Sequence, residues 1–188
     1  ANFTNGGAAV AANRMNAPSD VYCDGTRLFV ADRGNHRVLI WSNLPTSNGQ
    51  NADYVLGQAN MTSNTANSGG LSDKSLNQPY SVYSTGSKLI VGDYANHRVL
   101  IWNTIPTADF TSASIVVGQG NMTSNTANGG GSVDGSVFNG PIYVRGSGSK
   151  LVITDRGNHR VMVWNSVPTT NGAFSDFILG QANTTSGT

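Results

Sequence analysis

The chain has 188 residues, a formal net charge of +1 and only 11% charged residues, against the roughly 25% of an average soluble domain. All ten acids are Asp, a turn residue, and Glu, the best charged helix former, is absent, which argues against a helical or α/β enzyme domain and for a loop-rich all-β protein. No basic cluster supports nucleic-acid binding, no run approaches the roughly 18 apolar residues of a membrane span, and no basic-then-apolar leader opens the chain.

In chain order, Asp20 to Cys23 follows Pro18 and precedes a turn at Gly25, and reads as a first strand. The segment RLFVAD, ending at Asp32, alternates as a second strand; HRVLIW, ending at Trp41, is β-branched and aromatic and forms a third. After a turn containing Pro45, DYVLGQ closes a fourth at Gln58. The same order then recurs: ADRGNHRVLIW at 31–41 returns as GDYANHRVLIW at 92–102 and as TDRGNHRVMVW at 154–164. His97 lies 61 residues after His36, and His159 lies 62 after His97. The repeats span approximately 1–59, 60–120 and 121–182, with a truncated fourth start at 183–188. No helical period appears at length.

Four short strands joined by tight turns make an antiparallel meander. Apolar residues on both of its faces, such as Val38 with Ile40 and Leu39 with Trp41, require packing on two sides. Radial stacking of copies meets that requirement.

The block Asp-x-x-Asn-His-Arg-Val-x-x-Trp resembles the NHL repeat, a family of β-propeller blades, and the resemblance covers essentially the whole chain. It implies a single domain of three four-stranded blades. These units are about 20 residues longer than the 40-odd of comparable repeats, and the excess falls between each Gly-Gln and the next Pro, as in 58–79. Because it recurs in place with its sequence kept, as in NMTSNTAN at 60–67 and 121–128, it is expected to be an ordered part of the blade. Three blades do not close a ring of the usual four to eight. Either the sequence is half of a longer chain or, as the reading favoured here, two copies join head to tail into a six-bladed ring.

Three sets of residues could carry chemistry. His36, His97 and His159 stand one per blade and cannot converge on one ion, so they are expected to be structural. Asp32 with Arg37, Asp93 with Arg98 and Asp155 with Arg160 are expected to tie the second strand to the third, fixing register. For binding, the variable motif residues Arg33, Tyr94 and Arg156 fall on the loop face, and the first-strand residues Tyr22, Tyr83 and Arg145 on the central channel; Tyr and Arg are common interface anchors.

Catalysis finds little support. Enzymes on similar propellers, lactonases and related hydrolases or lyases, hold a central metal through acidic and Asn or His ligands. Here only Asp20 among the non-motif acids lies in a first strand, its counterparts being Ser81 and Tyr143. Cys23 has no partner cysteine and reads as strand filler. Asn2, Asn60, Asn121 and Asn183 match the N-glycosylation pattern, which repetition of a Thr/Asn-rich loop also produces. The expectation is a non-catalytic NHL-like module, needing neither cofactor nor metal, that forms a homodimer and binds a protein or small polar ligand through its polar loops. The alternatives are a lactonase- or lyase-type enzyme with a central metal, and a single-stranded RNA binder. The low-charge, Glu-free surface leans toward an extracytoplasmic setting.

Overall fold

The computed structural model describes residues 10–187; the Asn2 sequon and the first nine residues of the opening repeat lie outside them. The chain forms three four-stranded antiparallel sheets, each paired in sequence order. The first contains β1 (Asp20–Cys23), β2 (Leu28–Asp32), β3 (Arg37–Trp41) and β4 (Tyr54–Leu56). The second contains β5 (Pro79–Ser84), β6 (Leu89–Asp93), β7 (Arg98–Trp102) and β8 (Ile115–Val117). The third contains β9 (Pro141–Ser147), β10 (Lys150–Asp155), β11 (Arg160–Trp164) and β12 (Phe177–Leu179). These are blade-like meanders, and the helical content of the described residues is limited to short 3₁₀ turns.

The repeated motif is the corner between the second and third strands. Asp32 pairs in register with Arg37, Asp93 with Arg98 and Asp155 with Arg160. Between them the chain makes one 3₁₀ turn, Arg33–Asn35 in the first sheet, and then places the histidine in the left-handed region, with φ of 53°, 51° and 53° at His36, His97 and His159. Histidine is among the non-glycine residues that tolerate that conformation.

Each corner is held by a buried charge cluster. Asp93 accepts hydrogen bonds from Arg98 Nε (2.8 Å), Asn96 Nδ2 (2.8 Å) and the Asn77 N–H (2.7 Å). The remaining Arg98 donors go to the carbonyls of Ser72, Ser75 and Met122. The other two corners repeat the pattern: Arg37 reaches Ala11, Arg14 and Met61, and Arg160 reaches Asp134, Val137 and Thr184. All six charged side chains are fully shielded from solvent. Such a cluster specifies geometry, because a buried charge is tolerated only with every partner in place. For Asp93, burial pushes the carboxyl above its ordinary value against the pull of Arg98 and the hydrogen bonds it accepts.

Period-two alternation gives each sheet two apolar faces. Phe29, Ala31, Val38, Ile40 and Leu56 of the first sheet pack on Val82, Leu89, Val91, Leu100 and Trp102 of the second. The opposite face of the second, including Ile90, Val99, Ile101 and Val117, packs on Val144, Leu151, Ile153, Met162 and Trp164 of the third. The middle sheet is thus covered on both sides. On the outer face of the first, Val30, Leu39, Trp41 and Val55 form a separate buried cluster. On the outer face of the third, Val152 and Val161 are half-buried while Phe177 and Leu179 are exposed.

The long segments after each Gly-Gln lie in the seams between sheets. Gln58 Nε2 donates to the carbonyls of His36 (3.0 Å) and Thr65 (2.9 Å), and the Thr65 N–H donates back to Gln58 Oε1. The chain then returns to β4, and Leu76, fully buried, caps Gly57. Gly57 sits at φ +87°, and a Cβ there would lie 2.8 Å from the Cβ of Leu76, so the seam requires glycine. One unit on, Phe138 caps Gly118 in the same way. Cys23, expected as strand filler, instead stands exposed at the end of β1. Its Sγ accepts the Gly25 N–H at 3.4 Å.

Candidate functional site

The loops between second and third strands bring the variable motif residues to one end of the stack, where they meet the starts of the first strands. Arg33, in its 3₁₀ turn, lays its guanidinium over the Tyr80 ring at 5.3 Å and donates to Gln78 Oε1 at 3.2 Å. Tyr80 in turn contacts Tyr94, with ring centroids 5.8 Å apart, and Tyr143 edge-on at 5.9 Å. Arg145 lies over the other part of this group, 5.8 Å from the Tyr143 centroid. The result is a continuous patch of three tyrosines flanked by two guanidinium groups. Arg33, Tyr80 and Tyr94 are half-buried and Tyr143 is 45% exposed.

Arg156 is exposed and stands apart, across an open groove of about 370 Å³ that it lines with Tyr94, His97, Asn139 and Gly140. The groove floor is tight, since a Cβ on Gly140 would lie 2.9 Å from the Tyr94 ring.

The first-strand residues do not form a uniform channel lining. Arg145 makes a two-pronged ion pair with Asp20, at 2.9 Å to Oδ2 and 2.8 Å to Oδ1, joining the third sheet to the first across the second. Hydrogen bonding to Asp20 holds the Arg145 guanidinium still more firmly protonated than usual. Tyr83 is buried, stacked edge-on with Tyr22 at 5.0 Å and seated over Gly146, where a Cβ would come within 2.6 Å of its ring. Burial, and then the neighbouring Tyr22, raise its phenol pKa. Asp20 also accepts the Val82 N–H at 3.0 Å, and Ser81 accepts the Val144 N–H at 3.1 Å in the next unit. Tyr143 holds the corresponding position in the third.

The histidines face the seams. His36 Nδ1 accepts the Gln78 N–H at 3.1 Å and His97 Nδ1 accepts the Gly140 N–H at 2.9 Å, so both rings carry their proton on Nε2. Burial pushes both imidazoles below their ordinary pKa, against the opposing hydrogen bond of Asn77 and charge of Asp93 at His36 and the charges of Asp155 and Asp93 at His97. Among the described residues no group of three or more His, Cys, Asp or Glu is placed to hold a metal ion. The exposed Asn60 and Asn121 each accept the N–H two residues ahead through Oδ1 and thereby shape the start of the seam segments.

Tyr80 and Tyr143 are the patch members that sequence reasoning did not select as binding residues. Tyr80 directly follows the repeated Pro79, but its counterparts are Ser19 and Ile142, so no repeated residue type marked the position.

No family model and no curated protein matches the sequence. Among solved structures, the chain is similar to the computationally designed protein Ika8, with 8% identity and a TM-score of 0.35 over 87% of this chain and 50% of that one. The chain spans about half the length of that designed protein.

Proposed function

We propose that the chain is a non-catalytic, NHL-like β-propeller module that binds a polar ligand or protein partner through the arginine–tyrosine face. The observation that carries this reading is the continuous contact of Arg33, Tyr80, Tyr94 and Tyr143 at the loop end of the stack. Aromatic rings held by neighbours lose little further freedom on binding, and a guanidinium adds directed donors, which is why Tyr and Arg dominate binding hot spots. The acids offer less. Asp20 is engaged by Arg145 and by the Val82 N–H, and the motif carboxylates are saturated by Arg, Asn and backbone donors.

The test is a screen of the purified chain and a Tyr80→Ala/Tyr94→Ala variant against a glycan array and a random peptide library, with single-stranded RNA at 50 and 200 mM salt as the counter-probe. The expected result is a glycan or peptide hit weakened at least about 30-fold in the variant, the loss of one hot-spot contact of about 2 kcal/mol. A hit that the variant retains, or salt-sensitive RNA binding as the sole hit, refutes the proposal.

A further inference from the structure

The chain makes one kind of junction twice, and the two halves of a third stand on its open edges. At each internal junction the incoming unit docks through four features. An apolar side chain three residues ahead of the shared proline, Leu76 or Phe138, fills the hollow over Gly57 or Gly118. The N–H of the residue just before that proline, from Gln78 or Gly140, donates to His36 or His97. In the loop between third and fourth strands, Asp109 or Asn171 accepts through Oδ1 the N–H of Val55 or Val116, at 2.9 and 3.0 Å. The following N–H, from Phe110 or Gly172, donates to the carbonyl of that same residue at 2.9 Å in both cases.

The first unit carries this docking set at the same places in its sequence: Met15, Ala17, Asn48 and Gly49. All four are exposed. Two of the four already share the left-handed φ of their docked counterparts, with Ala17 at φ 46° beside 52° and 69° for Gln78 and Gly140, and Gly49 at 68° beside 54° and 61° for Phe110 and Gly172. Leu44 is likewise 45% exposed, whereas its counterparts Ile105 and Val167 pack on the sheet before them.

The third unit carries the receiving set. An open hollow of about 360 Å³ lies over Gly180, lined by Thr154, His159, Arg160, Val161 and Leu179. Ile178 occupies the place of Val55 and Val116 in β12, the edge strand of its sheet among the described residues. Side-chain volumes also match. The socket whose fourth strand ends in Leu56 holds Leu76, and the one ending in the smaller Val117 holds the larger Phe138. The third ends in Leu179, so it takes an aliphatic chain of leucine size, and Met is the volume-conserving exchange for Leu.

We propose that a second copy of this chain occupies the open edge of the third sheet, with Met15 of the second copy in the hollow over Gly180 and its Asn48–Gly49 loop hydrogen-bonded to Ile178. The Ala17 N–H of that copy then donates to His159. The arrangement is reciprocal, and six is the only multiple of three among the roughly four to eight blades that propellers use, so two copies close the ring and make both new junctions the same interface. At the inner edge, Tyr143 replaces the acceptors Asp20 and Ser81, so the contacts of Met15, Asn48 and Gly49 carry this junction.

Sedimentation and light scattering of the 188-residue chain test the proposal, alone and with Met15→Asp or Leu179→Asp. Both positions are exposed within one chain, at 43% and 57%, so circular dichroism should remain that of the wild type. The wild type is expected to have twice the chain mass at micromolar concentration. Either substitution should raise the self-association Kd on the order of 100-fold, because it buries an unpaired charge in an apolar socket. A 1:1 mixture of the two variants should recover dimer, since pairing them restores one wild-type junction. A monomeric wild type at tens of micromolar, variants that dimerise unchanged, mixing without recovery, or mass that keeps growing past two copies would each overturn it.

Discussion

Replacing Arg98 by Leu tests whether the repeated corner is a structural joint. The substitution leaves most of the side chain's apolar volume but removes five donors at once. Asp93, completely buried, loses its ion partner at 2.8 Å, and the carbonyls of Ser72, Ser75 and Met122 lose theirs. Removing one member of a buried pair costs about 3–5 kcal/mol, and each orphaned carbonyl about 1–3 kcal/mol. These terms share one network and do not add in full, so the lower figure, about 3–5 kcal/mol, is the prediction to hold. Against a typical stability of about 5–15 kcal/mol that is about a fifth of the total or more. With a urea m-value of about 1–3 kcal/mol/M, the midpoint of unfolding followed by tryptophan fluorescence should fall by about 1–5 M. Arg27→Ala is the control, because Arg27 is partly exposed and Asp24 keeps the Thr26 and residue-27 N–H groups and the Ser84 hydroxyl as donors, so the loss is expected to be about 1 kcal/mol. Because the lost carbonyl contacts come from two different seam segments, trypsin should also cut faster at Lys74 in the Arg98→Leu protein. A midpoint shift no larger than that of Arg27→Ala would refute the view that this arginine locks the corner to both seams.

Phe138→Ala should cost about 3–5 kcal/mol in the same assay, the usual range for a fully buried ring, since its socket over Gly118 and its contact with Trp164 at 6.2 Å are both lost; a loss below about 1 kcal/mol would show that the seam collapses freely. The seam histidines set a pH dependence. His36 and His97 have folded pKa values below the ordinary 6.5, so the unfolded chain takes up protons first, and their contribution is complete above that value and is lost as pH falls through the depressed folded values. The urea midpoint should therefore fall from pH 8 to pH 5, and His36→Asn/His97→Asn, which keeps a residue tolerant of the left-handed region, should flatten the slope; an unchanged slope would remove the histidines as its source.

The strands and the Asp–Arg register were legible because they repeat. A motif written three times at 61- and 62-residue spacing carries its own alignment, and period-two alternation then assigns faces. What remained hidden depends on where sheets stack. The Asp20–Arg145 ion pair joins residues 125 apart across an intervening sheet, and no local pattern encodes that approach. The arginine–tyrosine patch was half legible: Arg33 and Tyr94 stood out as variable residues in a fixed frame, whereas Tyr80 and Tyr143 became part of it only because β5 and β9 of successive sheets lie against each other. The socket residues escaped notice for the opposite reason. Met15, Leu76 and Phe138 differ in type, so a search for identity passes over them; the usable signal was an apolar residue always three positions before the repeated proline.

Those unlike residues bear on how three nearly identical units keep their order. The shared motif would let any unit neighbour any other, and tandem repeats are prone to such exchange. The corner itself contains nothing to prevent it. Yet Phe138 matches a socket ending in Val117, and Leu76 one ending in Leu56, so transposed neighbours would meet either an overfilled seam or an underfilled one. Both errors carry a penalty. The varied residue before each proline thus works as an address written into an otherwise uniform chain, and exchanging Leu76 with Phe138 would scramble it without touching a single conserved-looking motif position.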